Sequence, residues 1–160
     1  MPLFYMDVPG ATQTTNASAN TANDCFFIAP GASRTVWLNA IYLQGRGVQL
    51  TSISGISIRL EKWTTTASSG GTAITPSPCD PGYQAAKHTA GFSAATVTSG
   101  TGGPTLMMSL GMGTTSPDNW IAPNLDQAYS LQAAATQSLD LFNISGATSL
   151  IFEASVGAAE

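Results

Sequence analysis

The amino-acid sequence predicts an all-β protein, an antiparallel β-sandwich of jelly-roll type with eight or nine strands and one short crossover helix. Apolar and polar residues alternate with a period of two in several short segments, and helical periodicity is nearly absent. Turn chemistry separates these segments, because the 16 glycines and nine prolines concentrate between them. The length of 160 residues is that of one ordinary domain.

The first strands of the domain are predicted from two apolar segments. Residues 25–29 form a short apolar run that is closed by the turn residues Pro30 and Gly31. Residues 34–43 are rich in β-branched and aromatic side chains, which indicates a strand buried on much of both faces. We therefore expect Trp37 to lie in the core.

The segment 56–63 shows the clearest alternation in the chain. Ile56, Ile58 and Leu60 fall on one face, and the residues between them are polar. This pattern is typical of a strand with one buried and one solvated face. Trp63 then lies with the polar residues, unless a bulge shifts the register.

The rest of the chain shows the same chemistry. Further strands are predicted at 92–97, 105–110, 119–121, 128–133, 137–143 and 149–156, with 128–133 and 137–143 as neighbours. The opening segment, 3–8, has strand character but little to anchor it, and a polar low-complexity stretch follows it. We therefore divide the chain into an N-terminal extended arm or edge strand, residues 1–23, and a β-sandwich domain, residues 24–160.

One helix is predicted, at residues 81–88, where it would cross between two strands. Asp80 is a candidate N-cap and Pro81 suits the first helical position. His88 ends this segment, so we expect it at the surface or capping the helix C-terminus.

The charge balance excludes several classes of partner. Only 9% of the residues are charged, against about 25% in an ordinary soluble domain, and the net charge is −4. The five basic residues are scattered, whereas a nucleic-acid binder clusters them to displace counterions from phosphates. We therefore expect no nucleic-acid partner. We also expect no membrane partner, because no apolar run reaches the length of a transmembrane helix.

The sequence carries no recognisable catalytic or metal centre. His88 is the one histidine, and no nucleophile elbow accompanies it. Cys25 and Cys79 lie far apart without other ligands nearby, so a zinc site is not expected, and Cys25 is interpreted as a buried thiol rather than a disulfide partner.

A glycosidase needs two neighbouring carboxylates, and Asp118, Asp126 and Asp140 could meet in the fold, but no motif marks them. We therefore predict that the protein is not an enzyme, with no catalytic residues, no cofactor and no metal.

Three aromatic residues are the candidate protein-interface residues. Phe4 and Tyr5 lie in the weakly anchored N-terminal segment, and Trp120 is flanked by turn residues. Exposed aromatic side chains are favoured anchors of protein interfaces, and an exposed Trp can also stack on a sugar. The alternative for Trp120 is that it closes one end of the sandwich.

One part of the chain carries a family resemblance. A strand at Leu60 ends in a charged and aromatic run, a turn rich in Thr, Ser and Gly follows, and the segment closes with Thr75-Pro76 and Asp80-Pro81. Together with residues 121–131 and 150–153, this pattern resembles small β-sandwich head decoration, or cement, proteins of tailed bacteriophages. The resemblance spans roughly residues 24–156.

The resemblance implies a jelly roll that forms a homotrimer and binds the major capsid protein on the outer face of the head. It implies a location on the capsid surface of the virion after assembly in the host cytoplasm, which agrees with the absence of signal-peptide features at the N-terminus. The function expected is stabilisation of the capsid lattice, where many weak contacts gain avidity. The alternative is a receptor- or carbohydrate-binding jelly-roll module of a phage tail or fibre.

Overall fold

The described residues of the computed structural model, 1–13, 24–45, 56–112, 117–133, 136–143 and 150–160, contain twelve strands and one 3-10 helix at Leu125–Gln127. The predicted all-β class is therefore confirmed. The strands are β1 (Leu3–Gln13), β2 (Asp24–Ala29), β3 (Val36–Gly45), β4 (Ile56–Trp63), β5 (Ser69–Ile74), β6 (Ser77–Pro78), β7 (Thr89–Thr98), β8 (Thr105–Met112), β9 (Asp118–Ile121), β10 (Tyr129–Leu131), β11 (Ser138–Asn143) and β12 (Leu150–Ala159).

The strands form two antiparallel sheets that face each other in a sandwich-like arrangement. The first sheet has the order β10-β3-β12-β1-β6, with β9 also pairing with β3, and the second sheet has the order β5-β7-β2-β11-β4-β8. Side chains from both sheets meet in one core, for example Met6 and Ile41 from the first, and Ile28 and Leu60 from the second. None of the helical residues in the described part of the chain forms a segment long and apolar enough to cross a membrane.

The alternation predicted for β4 is confirmed on its apolar face, where Ile58 and Leu60 are buried. The opposite face is not solvated as predicted, because Glu61 is buried as well. Trp63 stays on the same side as Glu61, since β4 pairs with β11 without interruption and the bulge lies in its pairing with β8.

The expectation that Trp37 lies in the core is wrong. Val36 and Leu38 are buried, and Trp37 between them is half-buried on the outer face of the first sheet. A register shift at Gly157 in the pairing of β3 with β12 then changes the inward positions, so that Ile41 is buried too. The apolar run in β3 therefore reflects a bulge that changes which side chains point inward, and not a strand that is buried on both faces.

The predicted helix at 81–88 is also wrong, because this segment is turns and irregular chain. The Asp80 carboxylate accepts a hydrogen bond from Gly82 N at 2.9 Å, and its carbonyl accepts one from Tyr83 N. The backbone N–H groups of Lys87 and His88 then bind the Glu160 carboxylate. Since these N–H groups have side-chain acceptors, no helical ladder is needed to satisfy them.

Two expectations about strand neighbours are corrected. β10 pairs with β3 in the first sheet, whereas β11 lies between β2 and β4 in the second, so these successive strands are not partners. β1 is anchored along its whole length by β12, from Leu3 opposite Ala159 to Gln13 opposite Leu150. Of the stretch proposed as an arm, residues 14–23 lie outside the described residues.

Candidate functional site

The outer face of the first sheet carries several exposed apolar side chains among the described residues of its strands. Leu3, Tyr5 and Ile121 are exposed at 43%, 49% and 54%, and Trp37 is half-buried near Leu3. Leu3 and Trp37 face each other across Ala159 of β12. We name these four residues the apolar end of the outer face.

Small residues lie between the two sides of the apolar end. Tyr5 is opposite Gly157, which is in turn opposite Ala40, and Ala40 pairs with Ile121. The Tyr5 ring lies close over Gly157, because a Cβ added there would be 3.6 Å from Tyr5 Cε1. The ring is thus held by the sheet while much of it stays accessible.

The other end of the outer face forms a pocket with a volume of about 290 Å³, in which polar side chains stand among apolar surface. The residues of this pocket that point away from the core come from three strands: Tyr42, Gln44, Asn119, Glu153 and Ser155. We name these five residues the polar end. The strand register sets their arrangement, with Tyr42 between Ser155 and Asn119, and Gln44 opposite Glu153.

Two carboxylates beside the polar end already have hydrogen-bond donors. Asp118 accepts from Gly111 N at 2.9 Å and from Asn119 N at 2.8 Å. The first of these bonds joins β9 of the first sheet to β8 of the second. Asp7 accepts from the Ser155 hydroxyl at 2.6 Å.

The outer face is acidic in its fixed charges. Asp7 and Glu153 point outward from this sheet, whereas Asp118 points toward the second sheet, and none of the described residues of β1, β3, β9, β10 and β12 is Lys or Arg. A positively charged or neutral partner is therefore favoured on this face over an anionic one.

The three predicted interface residues have different positions in the structure. Tyr5 is exposed at the apolar end. Phe4 faces the interior instead, because neighbouring strand residues point to opposite faces, and its ring meets the His88 ring edge-on with centroids 5.4 Å apart. Trp120 is half-buried, stacks on Tyr129 at 5.1 Å and packs against the core, so it closes the sandwich rather than standing out from it.

Sequence reasoning missed Tyr42 and Ile121 as surface residues. Tyr42 belongs to a segment interpreted as buried on both faces, and Ile121 ends a short strand. A strict period of two continued from Val36 and Leu38 would place Tyr42 inward, so the bulge that turns it outward could be recognised only from the strand pairing.

His88 is a correction, because it is buried and not at the surface. Its Nδ1 lies 2.5 Å from Glu160 Oε1, and the same oxygen accepts the backbone N–H groups of Lys87 and His88, each at 2.7 Å. Arg34 approaches the other carboxylate oxygen, with its Nη1 3.8 Å away. This cluster joins the end of β12 to the segment that precedes β7.

The three acids weighed as a carboxylate pair lie on separate elements. Asp118 is on β9, Asp126 is in the exposed 3-10 helix, and Asp140 is buried on β11. The residue directly opposite Asp140 is Glu61 on β4, which is also buried. Sequence reasoning missed this neighbouring pair, because only the strand register brings the two residues together.

The buried acids are covered by a connecting segment. Ser68 donates its hydroxyl hydrogen to Asp140 Oδ2 and accepts a hydrogen bond from Gly100 N at 2.8 Å. Its own backbone N–H donates to Ser138 Oγ at 3.0 Å. These bonds hold the segment over the second sheet, so the arrangement contributes to packing.

No metal-ligand set is present among the described residues, which contain no group of three or more His, Cys, Asp or Glu side chains placed to hold an ion. Cys25 is buried, Cys79 is exposed, and the two are not joined. The interpretation of Cys25 as a buried thiol outside a disulfide is confirmed.

Comparison with known proteins gives no relative from which a function could be carried over. Neither the family models, nor the curated proteins, nor the solved structures contain a significant match to this chain.

Proposed function

We propose that this chain is a structural protein of a tailed-phage virion, a decoration or cement protein that binds the major capsid protein and stabilises the head. The observation that carries the proposal is the apolar end of the outer face, where Leu3, Tyr5 and Ile121 are largely exposed. The resemblance of residues 60–81 to phage decoration proteins supports a phage head as the assembly that this surface contacts. The jelly-roll connectivity, the homotrimer and the capsid-surface location belong to the same proposal.

The apolar end has the chemistry of a protein contact surface. Contiguous exposed apolar side chains mark interaction sites on soluble proteins, and exposed aromatic residues are enriched where binding energy concentrates. The strands hold these side chains in place, so little conformational entropy is lost when they are covered.

The low content of charged residues supports a function within an assembly. With 9% charged residues, a free monomer has little electrostatic repulsion to keep copies apart. On a lattice, many identical weak contacts sum to a strong attachment. Contacts that rest on apolar burial are also insensitive to salt.

The first test measures where the protein is in its native particle. Quantitative mass spectrometry of purified virions should find the chain in a stoichiometric ratio to the major capsid protein. Its presence only in tails, or its absence from virions, would contradict the proposal.

The second test uses particles that lack the chain and rebinding of purified protein. The double variant Leu3→Ser, Tyr5→Ser should rebind at least tenfold more weakly, because it removes two anchors of the apolar end. Tyr83→Ser is the matched control, since Tyr83 is 47% exposed but lies in the connection between β6 and β7. Equal rebinding by the double variant and the control would contradict a role for this face.

The alternative function, a carbohydrate- or receptor-binding module, relied on Trp120 as an exposed platform. Because Trp120 packs against Tyr129 and the core, that residue does not support it.

A further inference from the structure

The polar end of the outer face lies beside the apolar end and consists of different side chains. Asp7 and Tyr42 lie opposite the same residue, Ser155, which is two strand positions from Gly157, the residue opposite Tyr5. At the rise of a β-strand the nearest residues of the two ends are therefore about 7 Å apart. No residue belongs to both ends, so each end can be altered without removing a side chain of the other.

Tyr42 provides an aromatic surface in the middle of the pocket. Its side chain is 37% exposed, and it is flanked by the shorter side chains of Ser155 and Asn119 on the two neighbouring strands. An exposed aromatic ring among polar side chains offers an apolar surface to a ligand. The C–H face of a pyranose ring packs on such a surface while its hydroxyls point to the rim.

The hydrogen-bonding groups of the rim include donors as well as acceptors. The side-chain amides of Gln44 and Asn119 each supply both. A hydroxyl group of a sugar both donates and accepts, so a mixed rim matches it. A cationic side chain would use acceptors alone, and the carboxylates of Asp118 and Asp7 already accept hydrogen bonds from within the protein.

The size and charge of the pocket restrict the kind of sugar that it can bind. A volume of about 290 Å³ is at the lower limit of small-molecule pockets, roughly 300–1,000 Å³, which suits one sugar ring. The strands around the pocket carry acidic residues and, among their described residues, no base. A sugar with a carboxylate, such as a sialic or uronic acid, would meet like charge there.

We propose that the polar end binds one neutral hexopyranose unit of a glycan, with Tyr42 as the stacking surface and the side-chain amides of Gln44 and Asn119 as the groups that bind its hydroxyls. None of these side chains belongs to the apolar end.

The experiment titrates the purified full chain with methyl glycosides of glucose, galactose, mannose and N-acetylglucosamine, followed by NMR chemical-shift changes. Methyl glucuronide and N-acetylneuraminic acid are titrated in parallel. We expect saturable shifts with at least one neutral glycoside, and at least tenfold weaker binding of both acids.

Variants identify the binding surface. Tyr42→Ala should weaken binding of the neutral glycoside by about tenfold, as loss of an aromatic contact predicts, and Gln44→Ala by a smaller factor. Tyr83→Ala, which alters a more exposed tyrosine outside the pocket, should bind like the unaltered chain. Circular dichroism of each variant separates loss of binding from loss of folding.

Three results would overturn the proposal: no saturable binding of any of the four neutral glycosides, tighter binding of an acidic sugar, or unchanged binding by a folded Tyr42→Ala variant. Because the titration uses the isolated chain, each of these results leaves the capsid proposal untouched. Failure of the virion measurements would equally leave the glycan titration valid.

Discussion

The imidazole of His88 and the carboxylate of Glu160 form a buried pair whose Nδ1 and Oε1 atoms are 2.5 Å apart. Oε1 also accepts two backbone N–H groups, and the backbone N–H of Glu160 donates to the carbonyl of Pro2 at 3.1 Å. The pair therefore ties together the beginning of β1, the end of β12 and the chain before β7.

Burial lowers the pKa of His88 below its ordinary value of 6.5, although the hydrogen bond and charge of Glu160 act in the opposite direction. His88 Nε2 is buried and has no hydrogen-bond partner within the described part of the chain, so a proton there would be poorly accommodated. For Glu160, burial raises the pKa, but the hydrogen bonds from His88 and Lys87 outweigh it and the pKa lies below 4.5.

Both depressed pKa values predict loss of stability in acid. The unfolded chain takes up these protons at higher pH than the folded chain, so the free energy of unfolding falls as pH decreases. The contribution of the pair to the free energy of unfolding is complete above about pH 6.5, the ordinary pKa of His. As the pH falls, the contribution of His88 is lost first, and that of Glu160 is lost below the ordinary pKa of Glu. Urea denaturation at pH 8, 7, 6, 5 and 4 measures it.

His88→Gln provides the control for the pH series. As His88 is the one histidine of the chain, the variant should lose the decline between pH 7 and 5.5 and keep the decline in the Glu range. A flat profile for the unaltered chain between pH 7 and 5.5 would contradict a buried neutral His88.

Glu160→Ala should be strongly destabilising. It removes the acceptor of three N–H donors in a buried place, and a buried donor without a partner costs about 1–3 kcal/mol. We expect a loss of about 3 kcal/mol or more in the free energy of unfolding, measured by urea denaturation at pH 7.5. Glu160→Gln keeps one acceptor oxygen and should lose less, and Asp126→Ala, at an exposed acid, should change stability by less than about 0.5 kcal/mol. Equal effects of the three variants would count against the pair.

Ser68→Ala tests the cover over the buried acids. The variant leaves Gly100 N without its acceptor and removes the donor to Asp140, so a loss of about 1–3 kcal/mol is expected. The neighbouring Ser69 is exposed, which makes Ser69→Ala the matched control with little effect. The midpoints of thermal unfolding of the two variants are compared. Similar midpoints would show that the hydrogen bonds of Ser68 contribute nothing to stability.

The two cysteines should differ in reactivity toward a maleimide at pH 7.5. Cys79 is exposed and should react within minutes, whereas Cys25 is buried and should react only when the chain opens. Mass spectrometry should find one label on the native chain and two after denaturation in urea. Rapid double labelling of the native chain would place Cys25 outside the core.

Local patterns were sufficient for the strands with clear alternation. The segment predicted at 56–63 is β4 (Ile56–Trp63), because a period of two in apolar side chains directly reflects one buried sheet face. β5 (Ser69–Ile74) was missed, since its Ser- and Gly-rich residues show no alternation and two of them, Gly70 and Gly71, have positive φ angles of 83° and 70°. Its strand state comes from pairing with β7.

The sequence by itself determined that this chain is all-β, that it lacks clustered cations, and which runs of residues could be strands, because these properties depend on composition and local period. Only the tertiary structure decided which side chains meet. His88 and Glu160 are 72 positions apart, and the polar end collects residues from β3, β9 and β12. Such contacts follow from the hydrogen-bond register between distant strands, and a one-residue change of register turns every side chain to the opposite face.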